Sequence, residues 1–298
     1  MSSGNPVEKT VLATKKYKKR SQIGDAFYMI RKNKASMMGL VILGLLVAIL
    51  ISTIFLSDQL TTRMAPLDRY LPPSRQFPFG TDFMGRNQFW RVLFGTRYSM
   101  AIGFGSAGLG ALIGVTLGSL AGYYGKLTDE IIMRVSDIVA SIPGMLFGMI
   151  IVVVLGRHLG ALILAVAVAS IPFFIRITRA SILTVRNQEF VEAAKAIGLS
   201  NVRIIFTQVL PNGLSPIIIM FTVILGMSII TAASLSFLGF GVPPPAPEWG
   251  TMMSVGRVDM INAPHLLNFP GIFIMLTVLS FNLLGDGLRD ALDPKLKR

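Results

Sequence analysis

The sequence predicts an all-α integral membrane protein with six transmembrane helices and both termini on the cytoplasmic side. Three observations carry this reading. The chain of 298 residues is 52% hydrophobic but only 14% charged, with a mean hydropathy of +0.64, which sets it apart from soluble, disordered and fibrous chains. Its apolar residues gather into six runs near the ~20 residues that cross hydrocarbon: Ser36 to Leu56, Tyr98 to Tyr124, Ile138 to Leu155, Leu159 to Ile175, Pro216 to Leu238 and Pro270 to Gly285. With the N-terminus inside, 20 of the 28 Lys and Arg residues fall on inner segments, the bias of cytoplasmic loops. The net charge of +13 therefore reads as membrane topology rather than as nucleic-acid binding. Cysteine is absent, which removes disulfides, thiolate metal sites and Cys nucleophiles.

Residues 1–34 form a basic leader in which Lys15, Lys16, Lys18, Lys19 and Arg20 lie close together. Such a run suits either a solvated tail held near anionic lipid or a docking arm. The stretch behind it, 35–57, is longer than a signal-peptide core of about 7 to 15 residues and lacks a small-residue cleavage pattern, so it reads as a retained anchor. Residues 58–97 form an extracytoplasmic segment rich in proline (Pro66, Pro72, Pro73, Pro78). Proline donates no backbone hydrogen bond, so this segment is stiff, irregular and outside the hydrocarbon. Residues 98–288 hold the other five spans, an inner loop at 176–215 and a second proline-rich outer segment with Val242-Pro-Pro-Pro-Ala-Pro-Glu-Trp249. Residues 289–298 are an inner tail.

The second span carries Gly110, Gly114, Gly118 and Gly122 at a four-residue spacing. In lipid such a stripe lets a neighbouring backbone approach closely. It serves either packing within the chain or a seam with a second subunit.

Catalytic and nucleotide signatures are missing. There is no G-x-x-x-x-G-K-[ST], no G-x-G-x-x-G opening a helix and no H-E-x-x-H, so no nucleotide or metal site is expected. His158 and His265 stand alone at membrane edges and read as interfacial residues. No span core contains a carboxylate, which argues against a proton- or ion-coupled carrier. Asp137 and Asp286 lie at inner span ends. Arg176 and Arg179, one turn apart after the fourth span, are expected to snorkel towards inner headgroups.

The inner loop is the most informative segment. Gln188 to Ile197 reads as a helix with Phe190, Ala194 and Ile197 on one face and Glu192 facing Lys195, stopped by Gly198. Ser200 or Asn201 caps a second helix whose Val202, Ile205, Phe206 and Val209 share a face before Pro211 breaks it. The two helices make a knob that either inserts into a partner's groove or folds back on the bundle to join two spans.

At this loop the sequence resembles a known family. Glu192-Ala193-Ala194, Gly198 and Leu210-Pro211 are similar to the EAA loop of permease subunits of ATP-binding-cassette (ABC) importers, with Gln208 where isoleucine is usual. Phe79-Gly80-Thr81-Asp82-Phe-Met-Gly85-Arg86-Asn87 resembles the G-T-D-x-x-G-R-D stretch of the second permease subunit in the oligopeptide, dipeptide and nickel group, with Asn87 in place of Asp. Ser236 to Val242, Glu248-Trp249-Gly250 and Asn282 to Pro294 also resemble that group. The similarity runs from Phe79 to the end.

The resemblance implies the type I ABC importer permease fold in a bacterial or archaeal plasma membrane. It implies a heterodimer with a related permease, two ATP-binding subunits docked on the inner knobs, and an extracytoplasmic substrate-binding protein. Glu192, Ala193, Ala194, Gly198, Leu210 and Pro211 would couple to the ATPase subunits. The chain itself would bind no cofactor, ATP and Mg being used by its partners, and would not be an enzyme. The implied cargo is a peptide, with nickel or another small solute as the alternative. Ser228, Thr231, Ser234 and Ser236 on the fifth span either line the pathway or serve as helix-packing hydroxyls. An ATP-independent channel or carrier, or a membrane scaffold, are the readings from other classes.

Overall fold

The computed structural model describes residues 31 and 33–292. The basic cluster from Lys15 to Arg20 and the chain beyond Leu292 lie outside them. The described residues are helical throughout, apart from loops and one isolated bridge between Thr81 and Asn87. Among the described residues, five helices are long and apolar enough to cross a membrane, and a bent helix pair makes a sixth crossing if counted as one span.

Helix α1 (Lys34–Ile54) begins where the Asn33 side chain accepts from the Ala35 and Ser36 amides, an ordinary N-cap. Its outward face of Val41, Leu45 and Ile51 is exposed, as a lipid-facing helix requires. Helix α2 (Gln88–Tyr124) starts ten residues before the predicted span, because Asn87 caps it by accepting from the Phe89 amide at 3.0 Å. Proline-rich patterning ends at Pro78, so the segment from Gln88 to Arg97 is helix rather than loop.

The predicted third span is two helices. Helix α3 (Lys126–Ser141) and α4 (Gly144–Leu155) meet at 87°. The break falls at Ile142-Pro143-Gly144, where proline withdraws a backbone donor and disfavours helix at the residue before it. Helix α5 (Leu159–Val185) runs ten residues past the predicted end, with Pro172 inside it. The loop is completed by α6 (Glu189–Ala196) and a helical segment over 201–212. Helix α7 (Leu214–Leu235) continues through a widened turn at Ser236–Phe240, interrupted at Gly239 (φ +96°). Helix α8 (Trp249–Gly256) lies within the second proline-rich segment, and α9 (His265–Leu292) completes the bundle with Pro270 inside it.

The glycine stripe is an internal seam. A Cβ at Gly118 would meet the Ile175 carbonyl at 2.6 Å, and one at Gly122 the Ile182 Cβ at 2.8 Å; Gly110 and Gly114 face Ser170 and Phe174. Both series ascend together, so α2 and α5 run parallel and α3–α4 carries the chain back between them. Small residues here let the two backbones approach, the packing device of membrane helices. The apolar core beside the seam gathers Met100, Ala107, Phe174, Ile224, Leu225, Ile229 and Phe281 from α2, α5, α7 and α9.

The bundle thus has two dissimilar ends. One carries the loop after α5, the start of α1 and the end of α9, the last two joined by Asn33 to Asp290 at 3.3 Å. The other carries the segments before α2 and around α8. They are called below the knob end and the cap end.

Candidate functional site

At the knob, α6 ends in a Schellman arrangement. The Leu199 amide donates to the Ala194 carbonyl at 3.2 Å and the Gly198 amide to Lys195 at 3.0 Å, with Gly198 at φ +82°. This is the left-handed stop that favours glycine. Val191, Ala194, Ile204 and Val209 are buried together with Ile182 and Val185 of α5. Tyr123 of α2 fastens the loop, its hydroxyl donating to Asn201 Oδ1 at 3.1 Å while the Lys195 ammonium lies over its ring. Lys195 thus turns to Tyr123 rather than to Glu192.

The knob both folds back and protrudes. Of the residues predicted for coupling, Glu192, Ala193, Gly198 and Pro211 are exposed, Leu210 is half-buried and Ala194 is buried in the core. The two predicted apolar faces are also corrected. Ile197, Val202 and Phe206 are exposed, and Val191 and Ile204 are inside instead. In the second helix the cause is a π-helical turn at Ile205–Val209, whose wider winding shifts which side chains face inward. Pro211 starts a new turn at 210–212 rather than ending the helix.

The cap is built on the motif around Asp82. Gly80 and Gly85 both take φ +73°, and a Cβ at Gly80 would lie 2.5 Å from the Leu71 carbonyl. Asp82 Oδ1 accepts from the Met84 and Arg86 amides at 2.9 Å, and its Oδ2 from Arg86 Nε at 2.7 Å. Arg91, on the first turns of α2, approaches the same oxygen at 3.5 Å and donates to the Thr61 and Pro245 carbonyls. All three charged side chains are at most 7% exposed. Arg91 is a member of the cluster that the sequence analysis does not name; its place five residues after Arg86 is a weak signal. Thr81 accepts from the Leu71 amide at 2.8 Å and donates to the Asp68 carbonyl.

Beside this cluster, Trp249 is fully buried and donates from Nε1 to the Val92 carbonyl at 2.9 Å. Glu248 caps α8 through the Gly250 and Thr251 amides at 2.8 and 2.7 Å. Burial pushes the Glu248 carboxyl above its ordinary range, against the pull of those amides. His265 is buried rather than interfacial, its Nε2 3.1 Å from the Thr81 carbonyl. His158 caps α5 with Nδ1 accepting from the Ala161 amide.

The arginines expected to snorkel are paired instead. Arg179 holds both oxygens of Asp129 (Nη2 to Oδ2 2.6 Å), and Arg176 reaches Asp137 Oδ1 at 2.9 Å. Both carboxylates belong to α3, whose amphipathic character the sequence reading missed by taking the span to begin at Ile138. Ser228 and Thr231 border a cleft of about 650 Å³ between the α3–α4 bend, α5 and α7. Ser234 and Ser236 lie outside its lining; Ser234 bonds the Ile230 carbonyl and Ser236 is buried beneath Gly250.

The described residues form a helical bundle with membrane-length helices and a folded loop protruding at one end, and comparison with known proteins defines its class. The chain belongs to the family described as binding-protein-dependent transport system inner membrane components, whose model matches residues 114–298; residues 21–73 match the N-terminal membrane domain of oligopeptide transport permease C. It is 44% identical to the dipeptide transport system permease protein DppC of Alkalihalophilus pseudofirmus over 274 residues, covering 92% of this chain and 90% of that one. It is 49% identical to the glutathione transport system permease protein GsiD of Pectobacterium atrosepticum over 225 residues (76% and 75%). The fold is shared with the inward-facing MetNI methionine ABC transporter, at a TM-score of 0.57 and 21% identity, over 69% of this chain and 98% of that one. DppC and GsiD are both named as permease proteins, and both come from bacteria.

Proposed function

We propose that this chain forms half of the membrane pathway of an ATP-driven importer for short peptides such as dipeptides or glutathione. A related permease supplies the other half, and a substrate-binding protein docks at the cap end, outside the cell. Two ATP-binding subunits dock at the knob end, in the cytoplasm, and hydrolyse the ATP. The names of the relatives support the cargo, and the family description supports the binding protein.

The observation that carries the reading is the exposed surface of the knob. Glu192, Ala193, Ile197, Val202 and Phe206 face outward from a loop whose other side is anchored in the bundle. Exposed apolar side chains rimmed by charge fit a protein groove, and the small Ala193 permits close approach. Both described ends of the chain lie at this end, and the bias of Lys and Arg towards the predicted inner segments of the sequence supports its cytoplasmic placement.

A tagged chain, solubilised gently from its host, should bring down one related permease and one or two ATPase subunits, identified by mass spectrometry. Recovery of the chain alone in several mild detergents would count against the assembly. In the reconstituted complex, Gly198→Asp should leave the bundle folded, since a Cβ there meets nothing within 4 Å and the left-handed backbone costs a non-glycine residue only ~1–2 kcal/mol. It should retain ATP hydrolysis and lose uptake of dipeptide or glutathione. Normal uptake would remove the coupling role from this surface.

A further inference from the structure

The cleft beside α7 has a charged mouth that the reading above does not use. Its walls are mainly apolar, with Ser170, Ser228 and Thr231 among the polar side chains lining it. It follows α7 from Met220 to Thr231, eleven residues or about 16 Å of depth. Arg176 stands at its knob-ward end, paired with Asp137 of α3. Unlike the Arg179–Asp129 pair, which is at most a third exposed, these two side chains are 49% and 61% exposed. Half-exposed charges at the edge of a membrane bundle are costly against lipid tails and stable against water.

The surface of α3 supports a wet side. Leu127, Ile131, Val135 and Ile138 form an exposed apolar stripe, and Glu130, Arg134 and Asp137 form a separate exposed polar stripe next to it. On one short helix the first face suits lipid or a partner helix, and the second needs solvent.

We propose that the cleft is a water-filled inner segment of the translocation pathway and that Arg176 and Asp137 form its charge-selective rim. An ion pair that is open to solvent offers one partner to a carboxylate and the other to an ammonium, so it suits a small solute bearing both groups. Neutralising either partner leaves a rim of one sign over apolar walls, and a cleft of that kind focuses the field at its entrance. This rests on the chain being half of a pathway, and it names the chemistry at the mouth.

The chain contains no cysteine, so one introduced thiol is unique within it. In the complete complex in inside-out vesicles, Thr231→Cys should react with both an anionic and a cationic methanethiosulfonate. Arg176→Gln should shift the rate ratio about three- to tenfold towards the cationic reagent and Asp137→Asn about as far the other way, while Arg176→Lys keeps it. Millimolar Ala-Ala should slow the labelling, and the same dipeptide with both ends capped should not.

Inertness of Thr231→Cys while Arg176→Cys labels would place lipid or partner side chains in the cleft and overturn the proposal. A ratio unmoved by both neutralisations would remove the rim's role, and equal protection by free and capped dipeptide would overturn the solute class. If the labelling behaves as expected but the complex imports neither dipeptide nor glutathione with ATP, the cleft stands and the peptide reading falls.

Discussion

The cap and the knob are both loops pinned to the ends of one bundle, yet they are held by opposite means. The cap is closed by buried polar groups: Asp82 between Arg86 and Arg91, Glu248 on α8, and Trp249 on a carbonyl of α2. The knob is held by a thin apolar layer with a few neutral or half-buried polar ties, Tyr123 on Asn201, Ser181 on the Gly213 carbonyl and Arg186 on the Gly122 carbonyl, and its outward side stays exposed. Removing one member of a buried polar set leaves the others unsatisfied, so such a set holds a single geometry. An apolar layer tolerates small shifts at lower cost. The cap is thereby built to stay as it is, and the knob to present a surface that can yield.

The sharpest way to break this contrast is Asp82→Asn, which leaves two buried guanidiniums without a carboxylate. It should cost about 3–5 kcal/mol, read as a large drop in thermal midpoint in detergent; a drop no larger than that of a surface mutant would mean the cluster is wet and weak. Next, Ile204→Ala in the fully buried layer under the knob should cost about 2–4 kcal/mol. Its effect should show as faster backbone hydrogen exchange over 188–212 while exchange in the cap is unchanged.

Glu248 gives a pH test of the cap. Its carboxyl is pushed up from its ordinary 4.5 by burial, so the fold favours the protonated form. Stability should therefore be highest below that value and fall as pH rises towards the folded value, by at most about 1.4 kcal/mol per pH unit. In Glu248→Gln the slope of melting temperature against pH should flatten over that window. The smallest effect is expected at Asn87. Asn87→Ala should cost about 1 kcal/mol through loss of the α2 cap, and Asn87→Asp almost nothing, because either side chain presents the acceptor that the Phe89 amide requires.

Six apolar runs and their charged borders are legible in the sequence because hydropathy and basic-residue bias act over long windows. What escaped it depends on single positions or on partners distant along the chain. Helix α3 was lost because Ile138 and Val139 join smoothly to the apolar run after Pro143, hiding the change from amphipathic to fully apolar. The pairing of Arg176 and Arg179 with α3 required the parallel packing of α2 and α5, which the glycine stripe hints at without naming its neighbour. At the knob, the stop at Gly198 was readable from local chemistry, whereas the inward face of 201–212 was not. A π-helical turn breaks the 3.6-residue count on which that reading relied.

Helix α2 has 37 residues, about 55 Å at 1.5 Å per residue, against a hydrocarbon layer of about 30 Å. It touches the cap at one extremity, where Gly95 lies against Trp249, and the knob at the other through Tyr123. It is therefore one continuous helix that reaches both ends of the bundle. Cap and knob thus share one backbone-bonded element, so the distance between their attachment points at Gly95 and Tyr123 is set by helix geometry alone, at about 42 Å.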